Sequence, residues 1–315
     1  LLFDVEAQQL TARLPVAEDV AFAKDGRALA MTPYGGGPWC MLVDATTGAM
    51  LGETEAMRPA GHIDITINDR GTRIAVALEG GPIRVFATES LEPIATLPNV
   101  SAYGLNFGLA FLDDETIIAA GSDMAIHVLR LDGTTLDRFQ TLGPETRSIE
   151  VSPDRNTITV LGKAWAQMHD RGGSPPARVL GGHDSYLYCA SWHPTEPIVA
   201  TAGWDGTVRL WDCRTGEPFA ILATELPNLH QVSLFFTPDG SELVALTPTG
   251  MDRAASPLRR QTWILATGAR RHDDVLARDF LERAPGGVSL GGFSAAKGRA
   301  ETSGMLAAVS PDGGY

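Results

Sequence analysis

The chain has 315 residues, of which 44% are apolar and 20% charged, the balance of a folded globular protein and not of a disordered one. Acidic residues outnumber basic ones 38 to 25, a net charge of −13, which argues against nucleic-acid binding, since a phosphate backbone is held by a basic surface. No uninterrupted apolar run reaches about 18 residues, so no membrane-spanning helix is expected.

Along the chain, turn signals of one kind recur: Lys24-Asp25-Gly26, Asn68-Asp69-Arg70-Gly71, Asp113-Asp114, Ser152-Pro153-Asp154 and Thr237-Pro238-Asp239-Gly240. Each follows a short alternating apolar run and precedes another, as Val20 and Phe22 precede the first turn and Ala28 and Ala30 follow it. Strand, tight turn, strand is the signature of a hairpin. The turns recur about every 40 residues, a period that means a propeller or an array. The one double interval, between Ser152 and Thr237, is filled by the turn Trp192-His193-Pro194-Thr195. Helical periodicity is confined to Asp274–Leu281, where a couple of turns are expected. Gly250 to Arg260 reads as an insertion forming a projecting loop.

The clearest repeat runs Gly182-His183-Asp184-Ser185-Tyr186-Leu187-Tyr188-Cys189-Ala190-Ser191-Trp192-His193-Pro194, then Ile198 to Gly203, then Trp204-Asp205-Gly206-Thr207-Val208-Arg209-Leu210-Trp211-Asp212. A Gly-His start, a strand, a Pro turn, a strand, Asp-Gly and a terminal Trp-Asp closely resemble the WD40-repeat β-propeller family. Weaker echoes cover the rest of the chain. Gly61-His62 opens a repeat, and the Trp-Asp place is taken by Val43-Asp44, Phe86-Ala87, Leu129-Arg130 and His169-Asp170 in other repeats. The resemblance implies an all-β, seven-bladed WD40-like β-propeller filling residues 1–315 as one domain, at about 45 residues per blade. Phe3-Asp4 continues in phase from Leu306–Ser310 and Pro311-Asp312-Gly313, so the N- and C-terminal strands are expected to share one blade. In the rival arrangement, Ser310–Gly313 begins a blade whose remainder is absent. A first residue other than methionine and an abrupt end suggest part of a longer chain.

Within the family, the His, a Ser or Thr of the second strand, the turn Asp and the terminal Trp form a hydrogen-bonded tetrad. Position by position this implies His183, Thr201, Asp205 and Trp211, as structural residues and not as a hydrolase site. Tyr186, Tyr188 and Trp204 fall where the family pattern faces one ring surface, and they are the candidate partner-binding residues. Other motifs carry little chemistry. Tyr34-Gly35-Gly36-Gly37-Pro38 lacks the Gly-Lys-Ser/Thr of a phosphate loop and reads as a long turn. Ser294-Ala295-Ala296-Lys297 has the SxxK spacing without its companion motifs. His272-Asp273-Asp274, three neighbours on a loop, cannot surround a metal ion alone, and Asn99-Val100-Ser101 matters as a glycosylation acceptor only in a secreted protein. Cys40, Cys189 and Cys213 show no CxxC spacing, so neither a zinc site nor a disulfide framework is indicated, and a reducing, cytoplasmic setting is expected. The implied function is a non-catalytic protein–protein interaction scaffold, without cofactor or metal, binding proteins or peptide segments but no nucleic acid, as a subunit or domain of a larger assembly. The alternative is a sensor or regulatory propeller within a larger multidomain effector. A propeller enzyme ranks below both, because no inward carboxylates or histidines recur from repeat to repeat.

Overall fold

The computed structural model describes residues 2–276 except 5–8, 13, 15–16, 24–27, 34–36, 58–62, 79, 99, 101–107, 122, 144, 173–177, 224–232, 249–257 and 267–268. The regular elements among them are β-strands. Six four-stranded antiparallel sheets follow one another along the chain, each built from consecutive hairpins. The first comprises Ala17–Phe22, Ala28–Pro33, Met41–Asp44 and Met50–Glu53. The second comprises Ile63–Ile67, Arg73–Leu78, Ile83–Ala87 and Pro93–Leu97. Leu109–Asp113, Thr116–Ala120, Ala125–Arg130 and Thr135–Gln140 form the third. Thr146–Val151, Thr157–Gly162, Ala166–Asp170 and Arg178–Leu180 form the fourth. Leu187–Trp192, Ile198–Gly203, Thr207–Asp212 and Pro218–Ala223 form the fifth. The sixth holds Ser233–Phe236, Glu242–Pro248, Leu258–Ile264 and Ala269–Leu276. First strands of successive sheets pack on one another, the arrangement of propeller blades.

The described turn signals fall at one structural place, between the first and second strands of a sheet. Asn68 to Gly71 turns the second sheet, Ser152 to Arg155 the fourth and Thr237 to Gly240 the sixth, each closed by a backbone bond from the fourth turn residue to the first. That fourth residue is left-handed, with φ of 66° at Gly71, 62° at Arg155 and 73° at Gly240. An arginine where glycine is favoured carries strain. It is held there by its own side chain: Nε lies 3.0 Å from Asp69 Oδ2, and Nη1 donates to the Phe111 carbonyl at 3.0 Å. Arg155 thereby ties the second, third and fourth sheets together.

Between neighbours lies a continuous apolar seam. Because strand side chains alternate between faces, Ala200, Ala202, Val208 and Leu210 of the fifth sheet meet Leu234, Phe236 and Leu243 of the sixth. Val199 and Trp211, on the opposite face, meet Leu161, Met168 and Leu180 of the fourth. The other seams repeat the pattern, with Ile74, Val76 and Phe86 against Ala30, Trp39 and Leu42, Ile117 and Leu129 against Val85 and Leu97, and Ile149 and Val160 against Ile118 and Val128. First strands are also stitched across the seams. Asp19 Oδ2 accepts from the Ile65 N–H at 3.0 Å, Asp64 Oδ2 from Gly108 at 2.9 Å and Ser191 Oγ from Phe236 at 3.3 Å.

One position is common to all six sheets: the penultimate residue of the third strand, occupied in turn by Val43, Phe86, Leu129, His169, Trp211 and Trp263. In the second to sixth sheets it faces the preceding sheet, and all but His169 are buried. The His169 ring stacks on Phe139 of the third sheet, with centroids 3.8 Å apart. The Gln167 amide nitrogen lies 2.6 Å from its Nε2, a bond the neutral ring accepts.

Several expectations are corrected. The stretch from Asp274, expected to be helical, continues the strand Ala269–Leu276, whose ladder to Leu258–Ile264 fixes its conformation. His272, Asp273 and Asp274 therefore sit in that strand and not on a loop. Leu258, Arg259 and Arg260 likewise pair with Pro248, Thr247 and Leu246 in turn and do not belong to a projecting loop. Gly37–Pro38, expected within a long turn, pairs with Ala56–Met57. Leu2–Asp4 pairs with Gln9–Ala12, while residues 277–281, 294–297 and 306–310 lie outside the described residues.

Burial pushes the pKa of His169 down from 6.5 to about 4, against the pull of Asp137 and Asp170. A depressed folded-state pKa means that the unfolded chain binds the proton first as pH falls, so stability is full above about 6.5 and is lost toward about 4. Replacing His169 by Phe, which keeps a ring on Phe139, is expected to flatten that part of a urea-denaturation pH profile relative to the wild type. An unchanged slope between pH 6.5 and 4 rejects His169 as its source.

Candidate functional site

The fifth sheet concentrates the polar side chains singled out by the repeat pattern. His183 precedes its first strand, Thr201 lies on the second, Asp205 in the following turn and Trp211 on the third. Trp211 Nε1 donates to Thr201 Oγ1 at 2.8 Å, and the hydroxyl lies 2.8 Å from His183 Nε2. His183 Nδ1 is 2.7 Å from Asp205 Oδ2. The indole can only donate, which fixes the sense of the chain. The Thr201 hydroxyl donates a hydrogen bond to Nε2, and Nδ1–H donates to the carboxylate. His183 is thereby a neutral ring in one tautomer, buried with Thr201 and Trp211.

Burial lowers the His183 pKa despite the nearby Asp205 charge. Burial pushes the Asp205 carboxyl the other way, yet the Thr207 hydroxyl and backbone N–H, with His183, hold it below the usual carboxylate range. The Thr207 donors lie 2.7 and 3.0 Å from Oδ1, and the Asp184 N–H lies 3.2 Å from Oδ2. Gly182 explains the residue before the histidine. At φ +131° a side chain is strained, and a Cβ would fall 2.5 Å from Arg209 Nη1.

Beside this network is an aromatic cluster at the seam of the fourth and fifth sheets. Tyr186 and Trp204, both half-buried, meet edge to face with centroids 5.1 Å apart. Backbone bonds fix the loops that carry them: Trp204 N–H to the Tyr186 carbonyl at 2.9 Å and Ala164 N–H to the Ser185 carbonyl at 3.1 Å. Lys163 pairs with Tyr186 in an isolated β-bridge. Its Nζ lies 5.1 Å from the Tyr186 ring centroid, and the Arg147 guanidinium carbon lies 4.9 Å from it. Tyr186 and Trp204 are thus brought together. Tyr188 is the extra residue of a bulge between Leu187 and Cys189, and its side chain lies outside the described residues. Lys163 and Arg147 carried no motif; only their placement across the seam joins them to the site.

The three cysteines are quiet. Cys40, Cys189 and Cys213 are unpaired. Burial holds all three thiols protonated, Cys40 and Cys213 up to about 12, and a protonated thiol is a poor nucleophile. Among the described residues no group of three His, Cys, Asp or Glu could hold a metal ion, and no described helix is long and apolar enough to cross a membrane.

Residues 174–212 match the family model "WD domain, G-beta repeat". The chain is similar to TSET complex member tstE of Dictyostelium discoideum, at 24% identity over 58% of this chain and 14% of the relative. It is similar to THO complex subunit 6 of Homo sapiens, at 36% identity over 24% of this chain and 22% of the relative. Nucleoporin Nup43 of Mus musculus is 27% identical over 38% of this chain and 34% of its own length. The chain thus spans a minor part of each of these relatives.

Trp211→Ala is expected to cost about 3–5 kcal/mol, as for other core aromatics. His183→Ala, which leaves Thr201 and Asp205 short of a partner, is expected to cost about 1–3 kcal/mol. Denaturant melts of both variants measure this, and a wild-type midpoint for either contradicts the hydrogen-bonded network as a source of stability.

Proposed function

We propose that this chain, whose residues 174–212 match a WD-repeat family model and whose four-stranded sheets follow one another along the sequence, is a non-catalytic scaffold that binds proteins or peptide segments. The observation that carries this reading is the half-buried pair of Tyr186 and Trp204, held on hydrogen-bonded loops at the seam of the fourth and fifth sheets. Large aromatics on a rigid support bury much area at small entropic cost, which is why they dominate binding hot spots.

The polar residues that resemble a hydrolase triad are engaged with one another in the fold, with His183 neutral and covered. The printed names of the relatives, a complex member, a complex subunit and a nucleoporin, support a place in a larger assembly. In this reading residues 1–315 make one propeller domain without cofactor, and Leu2–Asp4 with Gln9–Ala12 belong to a seventh blade. The unpaired cysteines support a reducing compartment such as the cytoplasm.

The test begins with recovery of a partner from the native source by affinity capture and mass spectrometry. Trp204→Ala is then expected to weaken its binding by about 2 kcal/mol, roughly 30-fold, with a melting midpoint close to the wild type. Equal affinity for the wild type and a Tyr186→Ala/Trp204→Ala double variant overturns this surface as the contact.

A further inference from the structure

Most cations among the described residues are already matched. Among the described residues, ten arginines lie within 4.0 Å of a carboxylate. Lys163 departs from that pattern. It is exposed, it takes part in none of these ion pairs among the described residues, and its ammonium instead lies 5.1 Å from the centroid of the Tyr186 ring. Arg147, on the same ring, has its side chain buried and lies 3.4 Å from Glu145, so its charge is compensated.

An ammonium has three donors, and an aromatic face engages at most one. The Lys163 position is also fixed before any partner arrives. Its backbone bridges to Tyr186, and the following residue, Ala164, donates to the Ser185 carbonyl. Preorganisation of this kind lowers the entropic cost of binding.

Resting on the aromatic surface described under Proposed function, we propose that Lys163, Tyr186 and Trp204 form a recognition site for an acidic peptide segment, in which a carboxylate meets Lys163 while an adjoining apolar side chain lies on the Tyr186–Trp204 pair. The net charge of −13 disfavours acidic partners at long range. It is screened beyond a Debye length of about 8 Å at physiological salt, so the uncompensated ammonium governs contact.

The test selects a phage-displayed library of random dodecapeptides on the full chain, then measures the enriched peptides against Lys163→Glu, Lys163→Arg, Trp204→Ala and Tyr186→Ala by fluorescence polarisation. Melting curves establish that each variant is folded. The expected result is enrichment of Asp or Glu beside an apolar residue, with affinity lost about tenfold in Lys163→Glu, retained in Lys163→Arg, and lost in Trp204→Ala. Peptides that require Trp204 but are neutral or basic and indifferent to Lys163→Glu overturn the acidic specificity while leaving the aromatic surface as a binding site. Failure to recover any peptide sensitive to Trp204→Ala or Tyr186→Ala overturns both.

Discussion

A four-stranded sheet that is apolar on both faces is not stable unless both faces are covered, and in this protein each neighbour supplies the cover. The requirement is sharpest at the penultimate residue of the third strand. There Phe86, Leu129, Trp211 and Trp263 are pressed against the preceding sheet. Each buried side chain of this size contributes roughly 1.5–3 kcal/mol by leaving water, and it contributes to two sheets at once. The succession of blades follows from this sharing, and so does the tolerance of the position. Phe, Leu, His and Trp all fill it in the second to sixth sheets, because the demand is volume against a neighbouring face.

Where the residue is tryptophan in the fifth sheet, its indole N–H cannot be buried alone, and Thr201, His183 and Asp205 supply the rest of the chain of donors. These four groups join a loop and a turn to two strands in one direction of hydrogen bonding. The same bonds withdraw them from chemistry. A neutral, covered histidine whose two nitrogens are both engaged has no free position for a substrate proton. In the proposed reading function falls to the loop surface beside this network, where Tyr186 and Trp204 meet.

The sequence was most legible where the physics is local. Asn68-Asp69-Arg70-Gly71 and Thr237-Pro238-Asp239-Gly240 announce turns because Asx side chains and left-handed glycines act within four residues, and both lie between first and second strands. His183, Thr201, Asp205 and Trp211 could be named because their repeat resembles a family pattern that sets these residue types at fixed spacing. Trp263 was not, since Ile264 follows it where the pattern expects Asp. The strand Ala269–Leu276 was misread because an outermost strand owes little to apolar alternation, and His272-Asp273-Asp274 disguises it. Lys163 and Arg147 were invisible as partners of Tyr186, since their meeting depends on how two blades face each other.

The central claim is that one buried residue at each seam stabilises two sheets and not one. Hydrogen exchange on a Phe86→Ala variant tests it most directly. The account predicts faster exchange both in the second sheet, Ile63–Ile67 to Pro93–Leu97, and in the first, Ala17–Phe22 to Met50–Glu53. Loss of protection confined to the second sheet would contradict it.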